Sequence, residues 1–146
     1  MNIATLINLL PIAFVLHNME ESFGMEKWTK NNPFYKFEPV KTKQFLVAIS
    51  FFSILGFVLV YGGSFYPTKE NYSTVVLGFS GMLFLNVFFP HLIATMLTKK
   101  YSLGLITALL INLPLSSAII WSMGSEGSFS IQQMVFIIIL GGFPMC

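Results

Sequence analysis

Five long apolar runs, separated by short polar connections, constrain the fold of this chain most strongly. They cover approximately residues 3–23, 44–61, 74–97, 101–121 and 130–146. As α-helices rising about 1.5 Å per residue, runs of this length cross the ~30 Å hydrocarbon core of a bilayer, the last of them only barely. The last run also ends in Gly141-Gly142-Phe143-Pro144, so four spans with a tucked-in terminal helix are an alternative. The pattern predicts an all-α membrane helix bundle of five or four transmembrane helices, in one domain over residues 1–146.

The composition agrees with a membrane protein. Of the 146 residues, 55% are hydrophobic and 10% are charged, whereas a soluble domain carries roughly 25% charged residues. The net charge of +2 is too small to indicate a nucleic-acid partner. Cys146 is the only cysteine, which excludes an intramolecular disulfide and a four-cysteine metal site.

The lysines predict the orientation in the membrane. Seven lie in the first and third connections and one in the second, namely Lys27, Lys30, Lys36, Lys41, Lys43, Lys99 and Lys100 against Lys69. Cytoplasmic loops carry an excess of lysine and arginine. We therefore expect a cell-membrane protein with its N-terminus outside, and its C-terminus and lysine-rich connections in the cytoplasm.

The first connection also contains aromatic residues. Its sequence KWTKNNPFYKFEPVKTK mixes lysines with Trp28, Phe34, Tyr35 and Phe37. Such a segment is suited to lie on anionic lipid headgroups or to cap a site between helices. The alternative is a plain cytoplasmic loop, because the positive-inside rule alone accounts for the lysines.

Ionisable residues cluster near the end of the first run, in the sequence HNMEE. His17, Glu20 and Glu21 have i, i+3, i+4 spacing, so on a helix they share one face. This spacing allows an imidazole and a carboxylate to hold one metal ion or to pass one proton. Alternatively, the glutamates are interfacial residues that pair with Lys27 or Lys30.

The second histidine of the chain is expected at the same depth as the first. His17 and His91 each lie six residues before the end of an apolar run, and these two runs cross the membrane in the same direction. Six residues correspond to about 9 Å of helix. One site containing His17, Glu20, Glu21 and His91 is therefore predicted, with separate imidazoles bonded to backbone carbonyls as the alternative.

Two prolines with nearby asparagines predict a polar cleft above this site. Pro90 and Pro114 lack a backbone donor, which frees the carbonyls of Asn86 and Leu110. Asn86 and Asn112 should be level near the midplane, close enough to hydrogen-bond across helices. They support the site in this interpretation, or alternatively only hold helices together.

The HNMEE sequence, with His91 as a second histidine, resembles the signature of the HXXEE family of small integral membrane proteins. A third family motif, Tyr-x-Pro-Gly, corresponds to Asn112-Leu113-Pro114-Leu115, which keeps only the proline. The resemblance supports the choice of His17, Glu20, Glu21 and His91 as site residues. It implies no reaction, because the family has no characterised biochemical function.

The leading hypothesis is a membrane-embedded enzyme with a His/Glu site near the cytoplasmic face. His17, Glu20, Glu21 and His91 would hold zinc, iron or manganese. Without a metal, His17, Glu20 and Glu21 would act as general acids and bases. The expected partners are membrane lipid and a hydrophobic or lipid-like substrate.

Two other classes use the same residues. A small proton or metal-ion transporter would employ them as relay or binding groups, and a chain this short would be expected to form a homo-oligomer. A non-catalytic accessory subunit would use them only to hold helices together. Loss of folding in His17→Ala would indicate the accessory subunit, and ion flux without turnover would indicate transport.

Overall fold

The computed structural model describes residues 2–32, 35 and 37–142. Within these residues the chain forms six helices: α1 Ile3–Ser22, α2 Met25–Asn31, α3 Thr42–Tyr61, α4 Lys69–Thr98, α5 Leu105–Ser125 and α6 Ile131–Gly142. A short 3₁₀ turn at Gly63–Phe65 follows α3. The described part of the chain contains no β-strand, so the predicted all-α fold is confirmed.

Four of the helices are long and apolar enough to cross a membrane, namely α1, α3, α4 and α5. The fifth apolar run forms α6, whose 12 residues cover about 18 Å, less than the ~30 Å of a hydrocarbon core. The rest of that run, residues 143–146, lies outside the described residues. The structure thus has four candidate spans and one shorter apolar helix, within the predicted range of five or four.

Helix α4 begins at Lys69, earlier than the apolar run that predicted it. Its first turn is polar, and the Thr68 hydroxyl caps it by accepting a hydrogen bond from the Asn71 N–H at 3.1 Å. Helix α5 begins later than predicted, at Leu105. Lys99 and Gly104 have left-handed backbone conformations, with φ of 52° and 85°, which end one helix and delay the next.

Helices α4 and α5, which carry Pro90 and Pro114, are both irregular. In α4 a wide π-helical turn spans Val87–Leu92, and Phe89 inside it has extended backbone angles. In α5 a similar turn spans Ala108–Asn112, directly before Pro114. A proline removes one helical hydrogen bond and its ring displaces the preceding turn, which accounts for both distortions.

The core lies between α1, α4 and α5. Leu10, Leu77 and Ile119 are completely buried there, and the rings of Phe14 and Phe79 pack edge to face at 5.6 Å. Helix α3 buries only 11% of its most apolar window and directs most of its side chains outward. An outward apolar surface is what a lipid-facing helix requires.

Glycines allow α6 to pack closely on α4. A Cβ added to Gly81 would lie 2.7 Å from the Cα of Ile138, and one on Gly141 would overlap the carbonyl of Gly78. Small residues at such positions let two helix backbones approach in a membrane.

Candidate functional site

His17 and His91 come together in the centre of the candidate site. Both side chains are buried, with 1% of their surface exposed. Their Nε2 atoms lie 3.1 Å apart, and the rings meet edge to face at an interplanar angle of 86°. The wide turn around Pro90 carries His91 into this position. The structure thus brings the two histidines of the described chain together.

Glu21 completes a group of three with the histidines. Its Oε1 lies 3.3 Å from His91 Nε2 and 3.7 Å from His17 Nε2. One ligand atom from each residue lies within 4.8 Å of the others, so the group could hold a metal ion. Three of the four predicted ligands are thus brought together.

The size of this triangle suits a small divalent cation. Its edges measure 3.1, 3.3 and 3.7 Å. Ligand atoms held tetrahedrally at about 2.0–2.1 Å from zinc are about 3.3–3.4 Å apart. Two imidazoles and one carboxylate are also a known ligand set of catalytic zinc and of non-haem iron, which keep further positions open.

Thr107 on α5 orients His17 within the group. His17 Nδ1 lies 2.9 Å from Thr107 Oγ1, and the Thr107 hydroxyl donates to the Gly104 carbonyl at 3.2 Å. Because a hydroxyl has one proton, its oxygen is then the acceptor for a proton on His17 Nδ1. This arrangement favours the tautomer whose Nε2 lone pair faces His91 and Glu21, as a metal ligand requires.

Gly104 closes the site from the connection between α4 and α5. It is buried and has a φ of +85°. A Cβ at this position would lie 2.8 Å from the Cε1 atoms of both His17 and His91, and 2.9 Å from Glu21 Cγ. Only glycine therefore lets the backbone approach all three side chains in this conformation.

Glu20 binds the start of α5. Its carboxylate accepts hydrogen bonds from the backbone N–H groups of Ile106, at 3.2 Å, and Thr107, at 2.7 Å. The Tyr101 hydroxyl donates to the same carboxylate. First-turn amides lack acceptors within their own helix and favour a negative charge, so Glu20 caps α5. Its predicted role as a ligand or catalytic group stays a prediction.

Tyr101 is held as a hydrogen-bond donor. Burial, followed by the hydrogen bond to the Glu20 carboxylate, raises the pKa of Tyr101 to about 12. The phenol therefore keeps its proton at neutral pH and ties the connection before α5 to α1.

The predicted supporting asparagines are both buried, with 3% of Asn86 and none of Asn112 exposed. Asn86 lies beside the His17 ring. Neither amide atom of Asn112 has a hydrogen-bond partner within the described residues, so the expected bond between the asparagines does not form. Ser116, one turn further along α5, is also buried and donates to the Asn112 carbonyl at 2.5 Å.

Sequence reasoning missed Thr107 and Gly104. Both lie about 90 residues after His17 in the chain, and neither stands in a motif. The one available signal is that a glycine and a threonine stand at the start of the fourth apolar run, just after its connection to the third.

Comparison with known proteins gives a family and one curated relative. The family described as "Protein of unknown function with HXXEE motif" matches residues 8–119, which include His17, Glu20, Glu21 and His91. The "Uncharacterized protein YrkK" of Bacillus subtilis (strain 168) is 34% identical over 111 residues, covering 76% of this chain and 70% of that protein. No solved structure matches the chain. The resemblance indicated by the HNMEE sequence is confirmed.

Proposed function

The chain belongs to the family of proteins of unknown function with an HXXEE motif, and we propose that it is a membrane-embedded, metal-dependent enzyme. His17, Glu21 and His91 hold a divalent metal ion, and the substrate is a lipid-like molecule reached from within the bilayer. The observation that carries this proposal is the convergence of their three ligand atoms within 4.8 Å.

The ligand set indicates the kind of metal. Two imidazoles and a carboxylate suit zinc, iron or manganese and leave positions open for water and substrate. A metal in such a site supplies a Lewis acid and lowers the pKa of bound water. Thr107 keeps the His17 imidazole oriented. The backbone at Gly104 covers the three side chains and so excludes bulk water. If no metal binds, His17, His91 and Glu21 remain as a candidate acid–base group.

Glu20 has a different part in this proposal. Its carboxylate is occupied by two backbone donors of α5 and by Tyr101. It therefore fixes the helix that carries Thr107 and positions the ligands indirectly. Adjacent glutamates in one motif would thus divide metal binding and helix positioning between them.

The lysines indicate on which side of the membrane the site lies. The group lies near the ends of α1 and α4 that lead into the lysine-rich connections. Because positive residues stay on the cytoplasmic side, we place the site near the cytoplasmic face of the cell membrane. A site within the membrane favours a lipid-like substrate, because such molecules reach it laterally through the bilayer.

A proton or metal-ion transporter is the second candidate. It is favoured by the buried polar residues that continue along α5 beyond the histidines, Asn112 and Ser116. The specific observation is that the Asn112 amide has no partner among the described residues, because buried polar side chains normally have partners. In this alternative His17 and His91 are the first binding groups of a path.

One experiment separates these functions. Purified wild-type protein is loaded with zinc, iron or manganese and reconstituted into liposomes of phosphatidylethanolamine, phosphatidylglycerol and cardiolipin. Lipid conversion is followed by mass spectrometry, and ion flux by an entrapped metal- or pH-sensitive dye. Glu21→Gln is the site variant, and Glu70→Gln, an exposed glutamate at the other end of α4, is the matched control.

If the protein is an enzyme, we expect metal-dependent conversion of lipid by wild type and Glu70→Gln, and none by Glu21→Gln. Flux without lipid conversion would replace it with the transporter. Neither conversion nor flux in folded protein would contradict both and favour an accessory subunit.

A further inference from the structure

A cavity lies beside the candidate metal site, at the lysine-rich end of the bundle. It has a volume of about 510 Å³ and lies between the end of α1, α2 and the connection from α4 to α5. Its walls include Phe23, Lys27, Trp28, Lys100, Tyr101 and Leu103. We propose that this headgroup cavity binds the phosphate-bearing head of an acidic phospholipid.

The charges of the cavity favour an anion. Lys27 comes from α2 and Lys100 from the connection between α4 and α5, and no aspartate or glutamate is among the described lining residues. Within the described part of the chain, neither lysine forms an ion pair with a carboxylate. Two lysine ammonium groups without a protein counter-ion are suited to bind a phosphate with charge-assisted hydrogen bonds.

The aromatic and aliphatic side chains of the cavity favour an amphiphile over a free anion. Phe23 is 83% exposed and Tyr101 is 46% exposed, and Trp28 and Leu103 add further apolar surface. Exposed aromatic rings beside lysines are typical of the level at which lipid headgroups meet the acyl region. A ligand with a negative head and an apolar body satisfies both kinds of wall at once.

The headgroup cavity is connected to the metal site through two residues. Tyr101 lines it and donates to Glu20, the glutamate that caps α5. Leu103 lines it and directly precedes Gly104, which contacts His17, His91 and Glu21. A phospholipid bound here would therefore have its head beside the segment that closes the metal site. In this respect the inference rests on the proposed function, because it names acidic phospholipids as the substrate class.

Lipid binding can be tested without any assumed reaction. Native mass spectrometry in detergent measures binding of phosphatidylglycerol, with neutral phosphatidylethanolamine as the comparison lipid. The cavity variant is Lys27→Gln/Lys100→Gln. The control is Lys41→Gln/Lys43→Gln, which removes two exposed lysines near the start of α3, outside the cavity.

We expect wild type and the control to prefer phosphatidylglycerol, and the cavity variant to bind it about tenfold or more weakly. Lys27→Arg/Lys100→Arg should keep the preference. That result would show that the glutamine variant loses lipid binding through loss of charge and not through misfolding. Equal binding by wild type and the glutamine variant would overturn the inference. So would displacement of the lipid by millimolar inorganic phosphate, which would indicate a site for free phosphate.

The same measurement on His91→Ala distinguishes this inference from the proposed function. If that variant loses its metal but still binds phosphatidylglycerol, the two sites are separate and both proposals stand. If phosphatidylglycerol binds and no protein form contains metal, the lipid inference survives and the metal proposal fails.

Discussion

The Nε2 atoms of His17 and His91 lie 3.1 Å apart although 74 residues separate them in the sequence. Two imidazoles this close, buried together and joined by the Glu21 carboxylate, form a polar group inside an apolar bundle. Burying such groups is unfavourable unless they are paired or bind something. Several consequences of this arrangement can be measured.

Gly104→Ala should disrupt the site. The new methyl group would lie 2.8 Å from both histidine rings, and φ of +85° is unfavourable for alanine. We expect a loss of metal affinity and a decrease in the free energy of unfolding of about 1–3 kcal/mol beyond the backbone cost. Thermal unfolding in detergent and metal titration check this.

The control for this change is Gly127→Ala. Gly127 also has a positive φ, of 69°, but a Cβ there would meet no atom of the described residues within 4 Å. It should therefore show only the backbone cost of about 1–2 kcal/mol. Equal effects of the two substitutions would contradict close contact between Gly104 and the histidines.

Glu20→Gln and Glu21→Gln should have different consequences despite their adjacency. Glu20→Gln weakens charge-assisted bonds to α5, so we expect a decrease in the free energy of unfolding of about 1–3 kcal/mol with metal still bound. Glu21→Gln should lose metal with a smaller effect on stability. Thermal unfolding and metal analysis of both variants test this, and metal loss in a folded Glu20→Gln protein would contradict the assigned roles.

Tyr101→Phe isolates one bond of the same cap. It removes the phenol that donates to Glu20 and leaves both backbone donors in place. We expect a decrease in the free energy of unfolding of about 1 kcal/mol, smaller than that of Glu20→Gln. A larger effect than that of Glu20→Gln, in the same unfolding assay, would contradict this ordering.

Acid should loosen the junction of α2 and α3 through Glu26. Hydrogen bonds from the Thr42 N–H and hydroxyl lower the pKa of this exposed carboxylate below its usual value of 4.5. Its stabilising effect is thus complete above the unfolded-state pKa and is lost as the pH falls through the lower folded-state pKa. Hydrogen exchange at the start of α3 should accelerate below about pH 4.5, relative to the intrinsic rate, in wild type and be pH-independent in Glu26→Gln. The same acid response in both proteins would contradict this assignment.

Residue chemistry and helical spacing were enough to predict much of this site. Placing His17 and His91 level in parallel helices required only the apolar runs and the lysine distribution. The different orientations of Glu20 and Glu21 could not be predicted in this way. Successive residues are turned by about 100° on a helix, so the position of α5 decides which carboxylate meets the histidines.

The helices were predictable from the sequence where they coincide with apolar runs. Helix α4 begins at Lys69 because Thr68 caps a polar first turn, which a hydropathy pattern cannot detect. Gly104 and Thr107 join the site because the start of α5 packs against both α1 and α4. Such contacts depend on tertiary structure and leave no local pattern.

We propose above all that His17, Glu21 and His91 form one metal site. Its most direct test is the metal content of detergent-purified protein, measured by inductively coupled plasma mass spectrometry after purification without chelators. The variants are His17→Ala, His91→Ala and Glu21→Gln, with Glu70→Gln as the control. We expect one divalent metal per chain in wild type and Glu70→Gln, and its loss from each of the three site variants. Folded wild-type protein without metal, or a site variant that keeps its full metal content, would contradict it.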